Sequence, residues 1–128
     1  MTAKQYLKKI RDLDRKADMA LKYYDRLVRD AQRMSSEELK KQCDKISDEA
    51  KRVRLLWDTF IDERAEIMRK LDMLEEPYAT VLYLRYVEYR HFQDIASHMN
   101  YSYAHITRLH GQALKVFREK FIKHAKKC

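Results

Sequence analysis

One glycine and one proline are all the chain has of the two strongest helix breakers. So few breakers in 128 residues exclude collagen-like, turn-rich and Gly-looped architectures and leave long helices as the expectation. A lone glycine also excludes a phosphate-cradling Gly-rich loop. Only two cysteines are present, Cys43 and Cys128, too few and too far apart for a zinc site or a disulfide framework. Cys43 lies on an apolar stripe and is expected to be a buried small hydrophobe, with Cys128 exposed. No run of 18 apolar residues exists, and the first residues, MTAKQYLKKIRDLDRK, lack the apolar core of a signal peptide. The expectation is a reduced, cytoplasmic protein that does not enter a membrane.

Charge is abundant. Charged residues make up 38% of the chain and the formal net charge is +8, which suits a polyanionic partner. From Tyr101 to Cys128 there are seven Lys or Arg (Arg108, Lys115, Arg118, Lys120, Lys123, Lys126, Lys127) against one acid, Glu119.

Apolar residues recur at Tyr6, Ile10, Leu13, Ala17, Leu21, Tyr24, Val28 and Ala31, in steps of three and four. This predicts one amphipathic helix from about Ala3 to Arg33. Met34-Ser35-Ser36-Glu37-Glu38 interrupts it, and Ser35 with Glu38 has the spacing of a capping box. A second helix follows to about Leu74, with the stripe Leu39, Cys43, Ile46, Ala50, Val53, Trp57, Phe60, Arg64, Ile67, Leu71 and Leu74. Alternating steps of four and three are those of a coiled-coil seam, with Arg64 its one polar interruption. A short turn between two such helices predicts an antiparallel coiled-coil hairpin. The second helix is the longer, by roughly 12 Å at 1.5 Å per residue. Its second half is apolar over a wider arc, so Leu56, Trp57, Ile61 and Met68 are candidates for an oligomer or partner interface. The C-terminal domain, a second protomer or a target protein is expected to cover them.

Glu75-Glu76-Pro77 marks a boundary, since proline suits the first turn of a new helix and breaks a continuing one. The expected domains are 1–74 and 75–128. A third helix is expected from about Pro77 to Glu88, packing through Val81, Leu82, Leu84, Tyr86 and Val87, with a corner at Tyr89-Arg90. Beyond it, Phe92, Ile95, Ala96 and Met99 share one helix face. Asn100 suits a left-handed stop, and Ser102 an N-cap with Tyr101 as a staple. Ile106, Leu109, Ala113 and Phe117 restart the period in a last helix that extends toward Ala125. This is the pattern of a helix-turn-helix whose second helix enters the major groove. The fold class expected is all-α: an N-terminal antiparallel coiled-coil hairpin followed by a three-helix helix-turn-helix domain with a basic tail.

Within that pattern, Tyr103, Ala104, Thr107 and Arg108 occupy the first turns of the recognition helix and are the candidates for base contact. Arg108 has the reach for a bidentate contact to guanine, and Ala104 or Thr107 for a thymine methyl. Phosphate contacts are expected from Arg85, Arg90, Ser102, His105, Lys115 and Arg118. The five histidines (His91, His98, His105, His110, His124) lack metal-ligand spacing, so neither metal nor cofactor is expected. His105 and His110 are expected to touch DNA or water. Gly111 is expected to serve close helix packing. No nucleophile–base pairing stands out, so no catalytic residues are assigned and the chain is not expected to be an enzyme.

Val81-Leu82-Tyr83-Leu84-Arg85-Tyr86, Asp94-Ile95-Ala96, Tyr101-Ser102, Ile106-Thr107-Arg108-Leu109 and Ala113-Leu114, taken in order, resemble region four of the sigma-70 family. The resemblance covers roughly Glu75 to Lys120, less than half the chain. Small phage-encoded regulators that carry a region-four-like C-terminus behind a helical N-terminus are the most similar form. It implies a phage- or mobile-element-encoded transcription regulator in a bacterial host. Its partners would be double-stranded DNA and host RNA polymerase. A homodimer is expected separately, from the wide apolar arc of the second helix. The chain is too short to hold the part of a full sigma factor that melts DNA. In that family the first recognition positions are commonly Arg and Glu, so Tyr103 and Ala104 depart from a −35-reading pattern. The alternative class is a protein-binding module, a sigma mimic or polymerase-binding inhibitor without specific DNA affinity. A non-specific nucleic-acid binder is the third.

Overall fold

A computed structural model describes residues 1–122. Among them every regular element is helical and no strand occurs. Five α-helices follow one another: α1 Ala3–Ala31, α2 Ser36–Asp72, α3 Tyr78–Leu82, α4 Phe92–Met99 and α5 Tyr103–Phe117. Two π-helical turns, Tyr83–Val87 and Arg118–Ile122, extend α3 and α5.

The two long helices start on side-chain caps. Thr2 and Gln5 satisfy each other's backbone amides at the head of α1, with bonds of 3.1 and 2.9 Å. This is a reciprocal capping box, beyond the one expected at Ser35. The expected cap of α2 forms: the Ser35 hydroxyl accepts from the Glu38 amide at 3.3 Å. Glu37 and Glu38 lie in its first turn and Arg69 and Lys70 in its last, each sign at the favourable end of the helix dipole.

Contacts divide the chain into two compact units. One is Asp12–Asp62; the other joins Met1–Arg11 to the described residues from Glu63 onward. Both long helices thus contribute to both units.

In the Asp12–Asp62 unit, Ala17, Ala20 and Phe60 are buried, and Trp57 meets Phe60 edge-on with ring centroids 5.5 Å apart. Val28 and Ala31 of α1 and Leu39, Cys43 and Ile46 of α2 line one apolar groove. This corrects the expected seam. Cys43 is exposed and Leu39 is 41% exposed, because these positions form the walls of an open groove. Of the interface candidates in this unit, Leu56 and Trp57 are half-buried and Ile61 is exposed; Leu55, outside the expected set, is 66% exposed.

In the other unit, Leu7 and Ile10 of α1 are fully buried, as are Ile67 and Leu71 of α2 to within 1%. The buried register of α1 therefore starts at Ala3 and Leu7, and Tyr6 lies half-buried on its flank. The Tyr6 ring packs on Phe117 at 5.8 Å, its hydroxyl accepts from Lys70 Nζ at 2.7 Å, and Lys9 pairs with Glu63 at 3.6 Å. Arg64 is exposed while Glu63 takes the half-buried position beside it. Ile67, Leu71 and Leu74 are buried in the same unit as the C-terminal helices, so the end of α2 is covered within one chain; Met68 is half-buried.

α3 is shorter than expected. Its α-helical part ends at Leu82, and the π turn carries the chain to Val87, where the Glu88 amide reaches the Tyr83 carbonyl at 3.2 Å. Val81, Leu82, Leu84 and Tyr86 are all buried, more than one face of a regular helix would bury. Tyr89 then takes the left-handed conformation, φ 59°, and turns the chain into α4 at the expected corner.

Candidate nucleic-acid interface

α4 and α5 are joined by three residues, each with a local reason for its conformation. Asn100 is left-handed (φ 60°, ψ 40°), a region that asparagine tolerates better than most residues. The Tyr101 amide folds back to the Ala96 carbonyl at 3.0 Å, which closes the end of α4 as in a Schellman motif. Ser102 is extended and its hydroxyl accepts from the His105 amide at 3.1 Å, which opens α5. Ile95 and Ala96 of α4, Ile106 and Leu109 of α5, and Val81 and Leu84 of the preceding helix form one buried cluster, with Tyr78, Tyr83, Phe92 and Met99 packed around it. That core fixes how α5 presents its outer side.

The outer side is defined by spacing. Ile106, Leu109, Ala113 and Phe117 are buried along one face of α5. Ala104, Arg108, Gly111, Lys115 and, just past the helix, Arg118, at steps of four and three, run along the opposite face, and all five are exposed. Within α5 this face carries two cations, Arg108 and Lys115, and no acid; Arg118 and the exposed Glu119 follow in the π turn.

The four base-contact candidates lie together on the first two turns. Tyr103 is 54% exposed and meets Phe92 edge-on at 6.3 Å. Ala104 and Arg108 are exposed, and Arg108 has no ion-pair partner among the described residues. Thr107 is half-buried and its hydroxyl donates to the Ala104 carbonyl at 2.9 Å. With its proton so used, it offers a methyl group and an acceptor outward, not a donor.

The phosphate-contact candidates fall into two groups. Ser102 just before α5, His105 and Lys115 on it and Arg118 just after it are accessible. The His105 ring stacks on Tyr101, with centroids 4.5 Å apart and planes at 5°. Arg85 and Arg90 are tied into the corner before α4. The Arg85 guanidinium donates to the Arg90 carbonyl at 2.9 Å and lies 4.4 Å over the Phe92 ring. Arg90 pairs with Glu88 at 2.9 Å. Both are half-buried, so these cations hold the corner in shape. Lys123, Lys126 and Lys127 of the basic tail lie outside the described residues.

His110 does not face outward as expected. It stacks on Tyr86, and its Nε2 shares a 2.7 Å hydrogen bond with the Tyr86 hydroxyl. Phe92 closes over it edge-on at 4.9 Å. Burial, with the charges of Arg85 and Lys4 adding to it, pushes the imidazole down to about 4, so it is neutral at pH 7. Burial likewise pushes the Tyr86 phenol up to about 12, against a smaller opposite pull from Arg85. The signal was present in the sequence: His110 lies four residues after Ile106 and three before Ala113, on the flank of the buried face.

Gly111 is also corrected. A Cβ placed there meets nothing within 4 Å, so no neighbouring helix requires the glycine. Among the described residues no three of His, Cys, Asp or Glu are grouped to hold a metal ion, and no helix is long and apolar enough to cross a membrane. No protein-family model, curated protein or solved structure matches the chain.

Proposed function

We propose that the chain is a sequence-specific DNA-binding transcription regulator, built as a coiled-coil hairpin followed by a helix-turn-helix domain. The observation that carries this reading is the outer face of α5, where Ala104, Arg108, Gly111 and Lys115 line up opposite the buried residues with no acid in the helix, and Arg118 follows beside Glu119 in the π turn. A helix of 15 residues is about 22 Å long and fits a major groove about 12 Å wide. On docking, Tyr103, Ala104, Thr107 and Arg108 meet base edges, with Arg108 on guanine and the Thr107 methyl on thymine. Ser102, His105, Lys115 and Arg118 hold the flanking phosphates. The resemblance to sigma region four adds host RNA polymerase as a second partner and a phage or mobile element as the source. The exposed Ile61, with Leu56 and Trp57 half-buried on the same stretch of α2, supports a homodimer joined through that helix.

One observation favours a second reading, a protein-binding sigma mimic. The first turn of α5 presents Tyr103 and Ala104, aromatic and apolar groups that suit a protein surface as well as a groove. Competition binding separates the two. A duplex selected from genomic fragments should bind at least about 10³-fold more tightly than random duplex. Equal affinity for both overturns sequence specificity, and binding to neither leaves the protein-binding reading.

A further inference from the structure

The face of α5 does not end the exposed positive surface of its unit. Between Met1 and Arg11 there are four cations and no acid. Lys9 is engaged by Glu63 at 3.6 Å and lies over the Tyr6 ring at 5.0 Å. The other three, Lys4, Lys8 and Arg11, fall at steps of four and three along one face of α1. All three are exposed and none has an ion-pair partner among the described residues.

Their position relates this face to α5. Met1, Thr2, Ala3 and Lys4 line one hollow together with Leu114, Lys115 and Arg118. Lys4 is near enough to His110 for its charge to oppose protonation of that ring. Seven residues further along α1, the Arg11 guanidinium lies 5.6 Å over the ring of Tyr89, the residue that turns the chain toward α4. The start of α1 thus runs from the basic end of α5 to the corner before α4.

We propose that the first turns of α1 are a second backbone-contact surface for the same DNA duplex, in which Lys4, Lys8 and Arg11 continue the phosphate-binding face that Lys115 and Arg118 begin on α5. The inference rests on the DNA-binding reading above. Lys4 to Arg11 spans about 10 Å along the helix axis, which matches about three phosphates of one strand. Between Lys4 and Arg11 the exposed residues of α1, Gln5 and Lys8, are polar, which suits a duplex backbone; the apolar groups, Met1 and Leu114, lie at the hollow beyond Lys4.

The test uses the full chain, a labelled selected duplex and fluorescence anisotropy over a range of salt. The triple variant K4Q/K8Q/R11Q should flatten the plot of log affinity against log salt by about 2–3, at about 0.9 for each phosphate no longer neutralised. The ratio of selected to random affinity should stay unchanged, because these residues touch no base. The charge-keeping variant K4R/K8R/R11K should keep the wild-type slope. Should the triple variant lose helix by circular dichroism, Lys4→Gln alone should still flatten the slope by about 0.9. A wild-type slope in the glutamine variants overturns the inference and leaves the DNA-binding reading standing, provided Arg108→Ala still lowers the preference for selected duplex. A wild type that binds no duplex overturns both. An effect confined to RNA of the same sequence overturns the duplex assignment.

Discussion

Acidification should loosen the C-terminal unit through one side chain. His110 is half-buried against Tyr86 and Phe92, with Arg85 and Lys4 adding repulsion for a proton. Its imidazole titrates at about 4 in the folded chain against 6.5 when free. The unfolded chain therefore takes up this proton first as pH falls. Stability from the neutral ring is fully present above pH 6.5, drains away between 6.5 and about 4, and is constant again below that. The gap caps the effect at roughly 3 kcal/mol, and solvent screening of a side chain that is not fully enclosed reduces this to about 1–2 kcal/mol. Urea unfolding at several pH values, followed by a tertiary signal, measures it. Carboxylates also titrate at the lower end of the window, so the comparison is with His110→Gln, which keeps a partner for the Tyr86 hydroxyl but cannot charge. The wild type should lose about 1–2 kcal/mol more than the variant between pH 7 and 4. An NMR titration in which His110 protonates near 6.5 would refute the reasoning, since the ring would then be solvated and the hydrogen bond to Tyr86 without weight.

Three further outcomes are expected. Arg108→Ala should weaken binding to a selected duplex by about 1–3 kcal/mol and relax preference at one base pair; an equal loss on random duplex would make Arg108 a phosphate contact. Gly111→Ala should raise stability by about 0.5–1 kcal/mol in urea unfolding, since the new methyl meets no neighbour and alanine is the better helix former; a loss of stability would mean the position is crowded. If α2 joins two protomers, Leu56→Glu or Ile61→Glu should yield monomers with much weaker DNA binding; a wild type that sediments as a monomer at tens of micromolar removes the dimer.

By itself the sequence determined the local structure. Scarcity of glycine and proline required long helices; the steps of three and four located four of the five, and Pro77 marked the start of α3. The stop at Asn100, the cap at Ser102 and the cap at Ser35 were legible because each rests on a residue's own backbone preference or on a side chain reaching three residues along. Most of the outer face of α5 followed the same way, as the complement of its apolar positions; Gly111, expected to pack against a neighbouring helix, did not. Three-dimensional packing decided which of several plausible faces is buried. Leu7 outcompetes Tyr6 for the interior, and Cys43 and Leu39 line an open groove, because burial depends on where a distant helix lies. Periodicity in one helix carries no information about its partner's position. The place of His110 on the flank of the buried face could be read from the sequence, but its neutrality could not: that comes from Tyr86 and Phe92 beside it and from Arg85 and Lys4, all far away in sequence. The basic turns of α1 look like any solvated helix face when read along the chain. Only the fold sets Lys4 beside Lys115 and Arg118, around one hollow.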